Sequence, residues 1–190
     1  MVASWRERAL RRALHGFVDA CARQHDYKFD SMIDCFARVE ELLADPGQVR
    51  TGTDIERRSL ELVDLMRPVL SPFVGRTDDD VPPGVKEATT LAGSTVETVL
   101  MGEAAPWFDV VCWNEANAVA ESVQRPYLAA SMIRLESDHD GVVDRFGIVP
   151  PLFDLLVRYE DEPDTRDATA AEITAVLDDF RARAPWPIAT

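Results

Sequence analysis

Apolar residues recur at intervals of three and four along most of this chain, which is the spacing of one face of an α-helix. Ser4 followed by Glu7 predicts a capping box that opens a first helix. Asp30 or Ser31 is expected to cap a second helix, which the Asp-Pro-Gly turn at residues 45–47 ends. Both helices carry their apolar residues on a single face.

The middle of the chain continues the helical pattern across one long loop. Thr53 with Glu56 predicts a second capping box and a third helix, which Pro68 kinks or ends because proline lacks an amide donor. Residues 71–83 hold prolines and a glycine and predict a loop that is a candidate hinge between subdomains. A fourth helix is expected to begin at Val85 and to break at Gly102.

The remaining predicted elements follow one another between residues 106 and 184. They are helices over about 106–124, 126–138 and 152–159, a short strand within 142–149, and a last helix opened by a capping box of Thr169 and Glu172 and ending near Ala184. The sequence therefore predicts an all-α protein, an irregular helical bundle of about seven helices with no significant sheet. We expect one domain over residues 1–190.

Charge separates this chain from proteins that bind nucleic acids. Of its 190 residues 46% are apolar and 28% charged, as in soluble globular proteins, and 20 basic against 34 acidic residues give a net charge of −14. Such a charge repels a phosphate backbone. Helices in residues 1–70 are nearly neutral, whereas those in residues 84–190 are acidic, and residues 87–124 contain six acids and no base. Either adaptation to a salty cytoplasm or recognition of a cationic partner explains this surplus.

Cysteine usage and the N-terminal sequence bear on the compartment. Cys21, Cys35 and Cys112 form an odd set without a C-x-x-C pair, so neither a disulfide framework nor a zinc knuckle is expected. Arginines interrupt the N-terminal segment where a signal peptide needs an apolar stretch, and no segment is apolar enough to span a membrane. We therefore expect a reduced protein in the cytoplasm.

A polar stripe on the predicted fifth helix is the most suggestive cluster of candidate ligands. Asn114, Asn117 and Glu121 lie at i, i+3 and i+7, and Asp109 comes one turn before Trp113. Carboxylate and amide oxygens are ligands for divalent cations, so we predict a metal site at Asp109, Asn117 and Glu121 as one alternative. The other interpretation of the same stripe is an ordinary solvated helix face.

A second set of carboxylates lies on the predicted second and third helices. Glu40, Glu41 and Asp45 are followed some twenty residues later by Glu61 and Asp64. This pattern resembles the magnesium-binding carboxylates of all-α nucleotide pyrophosphohydrolases. It departs from them on the predicted second helix, where Ala44 stands in place of a second glutamate. The resemblance implies metal-assisted attack of water on a phosphate. Solvated helix faces are the competing explanation.

No recognised catalytic motif is present, so we predict no catalytic residues and favour a non-catalytic function. The acidic surface predicts binding to a basic protein partner, in the manner of an immunity protein, an antitoxin or another inhibitor. Candidate contact residues are the run Asp78, Asp79 and Asp80, together with Trp107 and the proline-flanked Trp186. No cofactor is expected. The alternative is a divalent-metal-dependent small-molecule or nucleotide hydrolase, or a ligand-binding protein, that uses the helical carboxylates above.

Overall fold

The computed structural model describes residues 4–23, 29–44, 52–76, 83–96, 98–99 and 106–184. In these residues the chain forms eight α-helices, two short 3-10 helices at Ser71–Phe73 and Pro163–Thr165, and no strand. The helices are α1 (Trp5–Ala22), α2 (Phe29–Leu43), α3 (Asp54–Leu70), α4 (Val85–Val96), α5 (Trp107–Ala120), α6 (Pro126–Ser137), α7 (Val149–Asp161) and α8 (Arg166–Arg183). The all-α class is confirmed. The strand predicted within residues 142–149 is wrong, because the segment is irregular with a turn at residues 145 and 146, and α7 begins at its last residue.

Two helices begin as their sequences predict. The Ser4 hydroxyl accepts a hydrogen bond from the Glu7 amide at 3.2 Å, and the Glu7 carboxylate accepts one from the Ser4 amide. Thr53 and Glu56 form the same reciprocal pair at the start of α3. Each box satisfies amides that the first turn of a helix leaves without partners.

Prolines account for two departures from the predicted boundaries. Helix α3 runs through Pro68 to Leu70, since the ring is exposed and only the last turn of the helix loses a hydrogen bond. Helix α7 begins at Val149 rather than Leu152, because the prolines at 150 and 151 fall in the first turn, where amides need no intrahelical acceptor.

Three further boundaries differ. Helix α2 begins at Phe29, so Asp30 and Ser31 belong to its first turn rather than to its cap. Helix α5 ends at Ala120, and Ser122 has a positive φ of 58° that stops it from continuing. The capping box predicted at Thr169 is wrong, because α8 already begins at Arg166.

The chain divides into two compact units, residues 1–107 and 108–190. In the first unit α1 packs most extensively against α2 and also contacts α3 and α4. Its core includes Leu10, Phe17 and Phe36, all essentially without exposure. The single domain and the hinge at residues 71–83 stay predictions, since residues 77–82 lie outside the described part of the chain.

In the second unit α6, α7 and α8 pack on one another. Ile133, Leu152 and Phe180 are fully buried there, and Phe146 from the loop between α6 and α7 contacts the Phe180 ring edge-on at 5.2 Å between centroids. Burial of such side chains supplies the main driving force for this packing. The loop is thereby anchored on α8.

All three cysteines are free thiols, and burial raises the pKa of Cys21 and Cys112 well above the usual range. None of the helices in the described residues is long and apolar enough to cross a membrane.

Candidate functional site

Helix α5 is buried around almost its whole circumference, including its polar residues. Asp109 and Asn114 are each 1% exposed, and Glu115 and Asn117 stay below a tenth. The interpretation of this stripe as a solvated helix face is therefore wrong. Buried carboxylates and amides need partners, because leaving them without hydrogen bonds or opposite charges costs free energy.

Internal hydrogen bonds hold the Asn117 amide in place. Its Nδ2 donates to the carbonyl oxygen of Trp113 at 2.7 Å, and its Oδ1 accepts from Nε of Arg181 at 3.3 Å. The first bond lies within α5, and the second connects α5 with α8 inside the second unit. Both ends of the amide are thus engaged by the protein itself.

The Asp109 carboxylate has an unusual electrostatic environment. Burial raises its pKa from 3.8 to about 6, the nearby Arg145 guanidinium counteracts this rise, and the negative charge of Asp144 adds to it. Arg145 lies 3.0 Å from one carboxylate oxygen. Asp109 is therefore placed as the buried partner of an ion pair.

The structure does not bring together the three ligands predicted for a metal. Asn117 follows Asp109 by eight positions in the helix, a rise of about 12 Å at 1.5 Å per residue. Oxygen ligands lie within about 2.6 Å of a bound cation. Glu121 follows in the turn after α5. Within the described residues, no group of three or more His, Cys, Asp and Glu side chains is arranged to hold a metal ion.

Three of the predicted carboxylates on α2 and α3 form ion pairs, whereas Glu61 is exposed and forms none among the described residues. The Arg67 guanidinium lies between Glu40 and Asp64, 2.7 Å from an oxygen of each. Glu41 pairs with Arg38, and Asp45 lies outside the described residues. Glu40, Glu41 and Asp64 are thus each held by an arginine.

Among the predicted partner-binding residues, Trp107 is the first residue of α5 and is partly buried. Asp78, Asp79, Asp80 and Trp186 lie outside the described residues. Their contribution to binding stays a prediction.

Sequence reasoning overlooked an exposed acidic turn between α7 and α8, which we define as residues 160–167. Five of its eight residues are acidic, and all five are exposed. They are Glu160, Asp161, Glu162, Asp164 and Asp167. Its single base, Arg166, lies over the Tyr159 ring at 5.4 Å and donates to the Tyr159 carbonyl oxygen at 3.0 Å. Counting charges in a short window would have found this turn.

Most of the basic side chains in the second unit are already paired. Residues 108–190 contain 16 acids and seven arginines. Five of these arginines form ion pairs inside the unit: Arg134–Asp138, Arg145–Asp109, Arg158–Glu172, Arg181–Asp178 and Arg183–Asp179. No basic side chain of the described residues pairs with Asp161, Asp164 or Asp167. The acidic turn therefore holds three exposed carboxylates without an ion pair among the described residues.

Comparison with known proteins adds no information. No family model, no curated protein and no solved structure matches this chain.

Proposed function

We propose that this is a non-catalytic acidic helical protein that binds a basic protein partner. The observation that carries the proposal is the acidic turn, whose carboxylates are exposed and, in the case of Asp161, Asp164 and Asp167, lack ion pairs within the described residues. Such a concentration of charge attracts a cationic surface and accelerates its association. Inhibition of a basic enzyme or toxin, as by an immunity protein or an antitoxin, is one form that this function takes.

Internal pairing of the arginines supports the proposal. The 16 acids of the second unit outnumber its seven arginines, which makes its potential negative, and five of those arginines are already held by carboxylates of the unit itself. The metal-dependent hydrolase has no comparable support. Of its candidate carboxylates, Glu40 and Asp64 pair with Arg67 and Asp109 pairs with Arg145. Asp109 and Asn117 also lie too far apart along α5 to share an ion.

The proposal is tested in two stages. The purified protein is first used to capture partners from native lysate, with washes of increasing salt, and a stoichiometric basic protein released by salt is expected. The association rate of that purified partner is then measured against a variant with Asp161, Asp164 and Asp167 changed to lysine. We expect the rate at low ionic strength to fall at least about tenfold.

A matched variant controls for net charge. Asp34, Glu61 and Glu87 are exposed in the first unit, and changing them to lysine alters the net charge by the same amount. This variant should associate much faster than the acidic-turn variant. Equal rates for the parent and the acidic-turn variant would contradict the proposal, as would a lysate that yields no basic partner at low salt. A melting temperature that rises with molar potassium chloride would then assign the acidity to salt adaptation.

A further inference from the structure

An open cavity of about 470 Å³ lies on the second unit beside the first turn of α7. Val142, Val149, Pro150 and Phe153 give it an apolar wall, and Asp138 and Asp144 contribute carboxylates. Clefts that combine apolar walls with a few polar groups are the usual binding sites of proteins. None of the candidate residues predicted from the sequence lines this cavity.

The apolar wall continues along α7 as an exposed stripe. We define the α7 stripe as Pro150, Phe153 and Val157, which are spaced by three and four residues and therefore share one face. Phe153 is 45% and Val157 42% exposed. Single exposed apolar residues are ordinary, but an exposed row that leads into a cavity is characteristic of an interaction surface.

Exposed apolar side chains concentrate in this region. Of the nine large ones in the described residues, five lie between residues 128 and 157. They are Leu128, Leu135, Val143, Phe153 and Val157. The packing of α6, α7 and α8 on one another leaves these side chains uncovered.

Side chains of α6 contact aromatic rings of α7 in and beside the stripe. Arg134 lies over the Phe153 ring at 5.1 Å and forms an ion pair with Asp138. Tyr127 stacks on Tyr159 with centroids 4.5 Å apart, and its hydroxyl donates to the Glu160 carboxylate at 2.9 Å. The Arg134 cation beside Phe153 is thus neutralised within the protein.

Carboxylates remain along the stripe. Asp154 is adjacent to Phe153 in sequence, and Asp161 follows Val157 by one turn; both are exposed. No basic side chain of the described residues pairs with either. An apolar row beside unpaired carboxylates is complementary to a surface that combines apolar side chains with cations.

We infer that the cavity and the α7 stripe form the docking site for a basic amphipathic helix of the protein partner, an inference that rests on the proposed function. Apolar residues of that helix contact Phe153 and Val157, and its lysines or arginines reach Asp154 and Asp161. The stripe covers about two turns, roughly 10 Å at 1.5 Å per residue. Charge opposes the competing occupants, because a second copy of this acidic chain and an anionic membrane are both repelled.

The test uses a defined probe, a 14-residue fluorescent peptide of leucine and lysine whose leucines fall on one helical face. A peptide of identical composition in scrambled order is the comparison. At low ionic strength the patterned peptide should bind at least about tenfold more tightly by fluorescence anisotropy. The double variant Phe153→Gln, Val157→Gln should remove at least about tenfold of that affinity and leave scrambled binding nearly unchanged.

A matched variant and a charge variant complete the design. Leu65 and Leu91 are similarly exposed in the first unit, and changing both to glutamine should leave the patterned affinity unchanged. Val157→Lys alone should weaken patterned binding by adding a like charge. Circular dichroism verifies that each variant is folded.

Several results would overturn the inference. Equal binding of the two peptides would do so, as would an equal loss in the Leu65, Leu91 variant. In another outcome, changing Asp161, Asp164 and Asp167 to lysine weakens the binding of both peptides, whereas the Phe153, Val157 variant binds both as the parent does. The proposed binding of a basic partner would then stand, and the α7 docking site would be contradicted. If the parent sediments as a dimer and the Phe153, Val157 variant as a monomer, the stripe belongs to a second copy. If neither peptide binds and no basic partner is captured, the inference and the proposed function fail together.

Discussion

The buried carboxylate of Asp109 forms an ion pair with Arg145, whose side chain comes from the loop between α6 and α7 and is half exposed. The two atoms are 3.0 Å apart, and the carboxylate retains only 2% of its exposure. Water solvates one partner and hardly reaches the other. The pair therefore joins a buried carboxylate on α5 to a solvated guanidinium. Its contribution to the free energy of unfolding depends on pH.

Asp109 should make stability depend on pH in the opposite direction to an ordinary surface carboxylate. Its pKa of about 6 in the folded protein exceeds the usual 3.8, so the folded state binds the proton more tightly. The contribution of this group to the free energy of unfolding is full below pH 4 and decreases as pH rises through about 6. Asp109→Asn removes this dependence, so its stability relative to the parent should increase by about 2 kcal/mol over that window.

Urea unfolding at pH 4, 5, 6 and 7 measures this difference. Asp140→Asn, at an exposed acid in the neighbouring loop, should show no such trend. A constant difference between Asp109→Asn and the parent across the four pH values would contradict the assignment.

Removing Arg145 should test the same pair from its other side. Arg145→Met leaves a buried carboxylate without its cation and should lower the free energy of unfolding at pH 7 by about 1–3 kcal/mol. In the Asp109→Asn background the same change should cost much less, because no charge remains to compensate. Arg125→Met, at an exposed arginine, serves as the control. Equal losses in both backgrounds would show that Arg145 stabilises the loop by another route.

A close approach between α1 and α2 allows a test of core packing. A Cβ atom at Gly16 would lie 2.8 Å from the Cys35 sulfur, which is well inside van der Waals contact. Gly16→Ala should therefore lose about 1–3 kcal/mol to this overlap, against a gain of about 1 kcal/mol in helix propensity. In the Cys35→Ala background the sulfur is absent, and the same substitution should stabilise the protein.

The coupling between the two positions is measured by urea unfolding of the four variants in this cycle. We expect Gly16→Ala to be more favourable by at least about 1 kcal/mol when Cys35 is alanine. Strict additivity would mean that the Cys35 side chain or the helices move aside without cost at this point.

Local sequence patterns predicted the helices well, but they did not separate a real capping box from a sequence that only looks like one. Thr53 and Thr169 are both followed by glutamate three residues later. Thr169 is nevertheless fully buried inside α8, where its hydroxyl donates to the Thr165 carbonyl oxygen at 3.0 Å. The buried face of α8 consists of Thr169, Ile173, Leu177 and Phe180, so the periodicity already continued back to Thr169. Tertiary packing overrode the local motif.

The candidate site was less predictable because burial is not a local property. Asp109, Asn114 and Asn117 look like a solvated stripe when α5 is considered alone, yet all three are buried. Their partners Arg145 and Arg181 lie 36 and 64 residues further along the chain. No spacing rule connects residues so far apart. The acidic turn, by contrast, is a local feature that charge counting reveals.

Glu56 carries out two tasks with one buried carboxylate, so its replacement should cost more than the loss of a helix cap. One oxygen accepts from Nε of Arg11 on α1 at 2.8 Å, and the other accepts from the amides of Gly52 and Thr53 at 2.8 and 3.0 Å. Glu56→Ala removes both sets and leaves Arg11 without this partner. We expect a loss of about 2–4 kcal/mol in the free energy of unfolding.

Glu56→Gln separates the two tasks, because the amide oxygen still accepts from the backbone whereas the charge opposite Arg11 is gone. The loss of unfolding free energy in urea should be smaller for Glu56→Gln than for Glu56→Ala. It should be larger than for the control Glu61→Ala, at an exposed position of the same helix, which should lose less than about 0.5 kcal/mol. Should Glu56→Gln match the parent, the contact with Arg11 contributes nothing and the capping hydrogen bonds carry the whole effect. Should it match Glu56→Ala instead, the ion pair between α1 and α3 carries the whole effect.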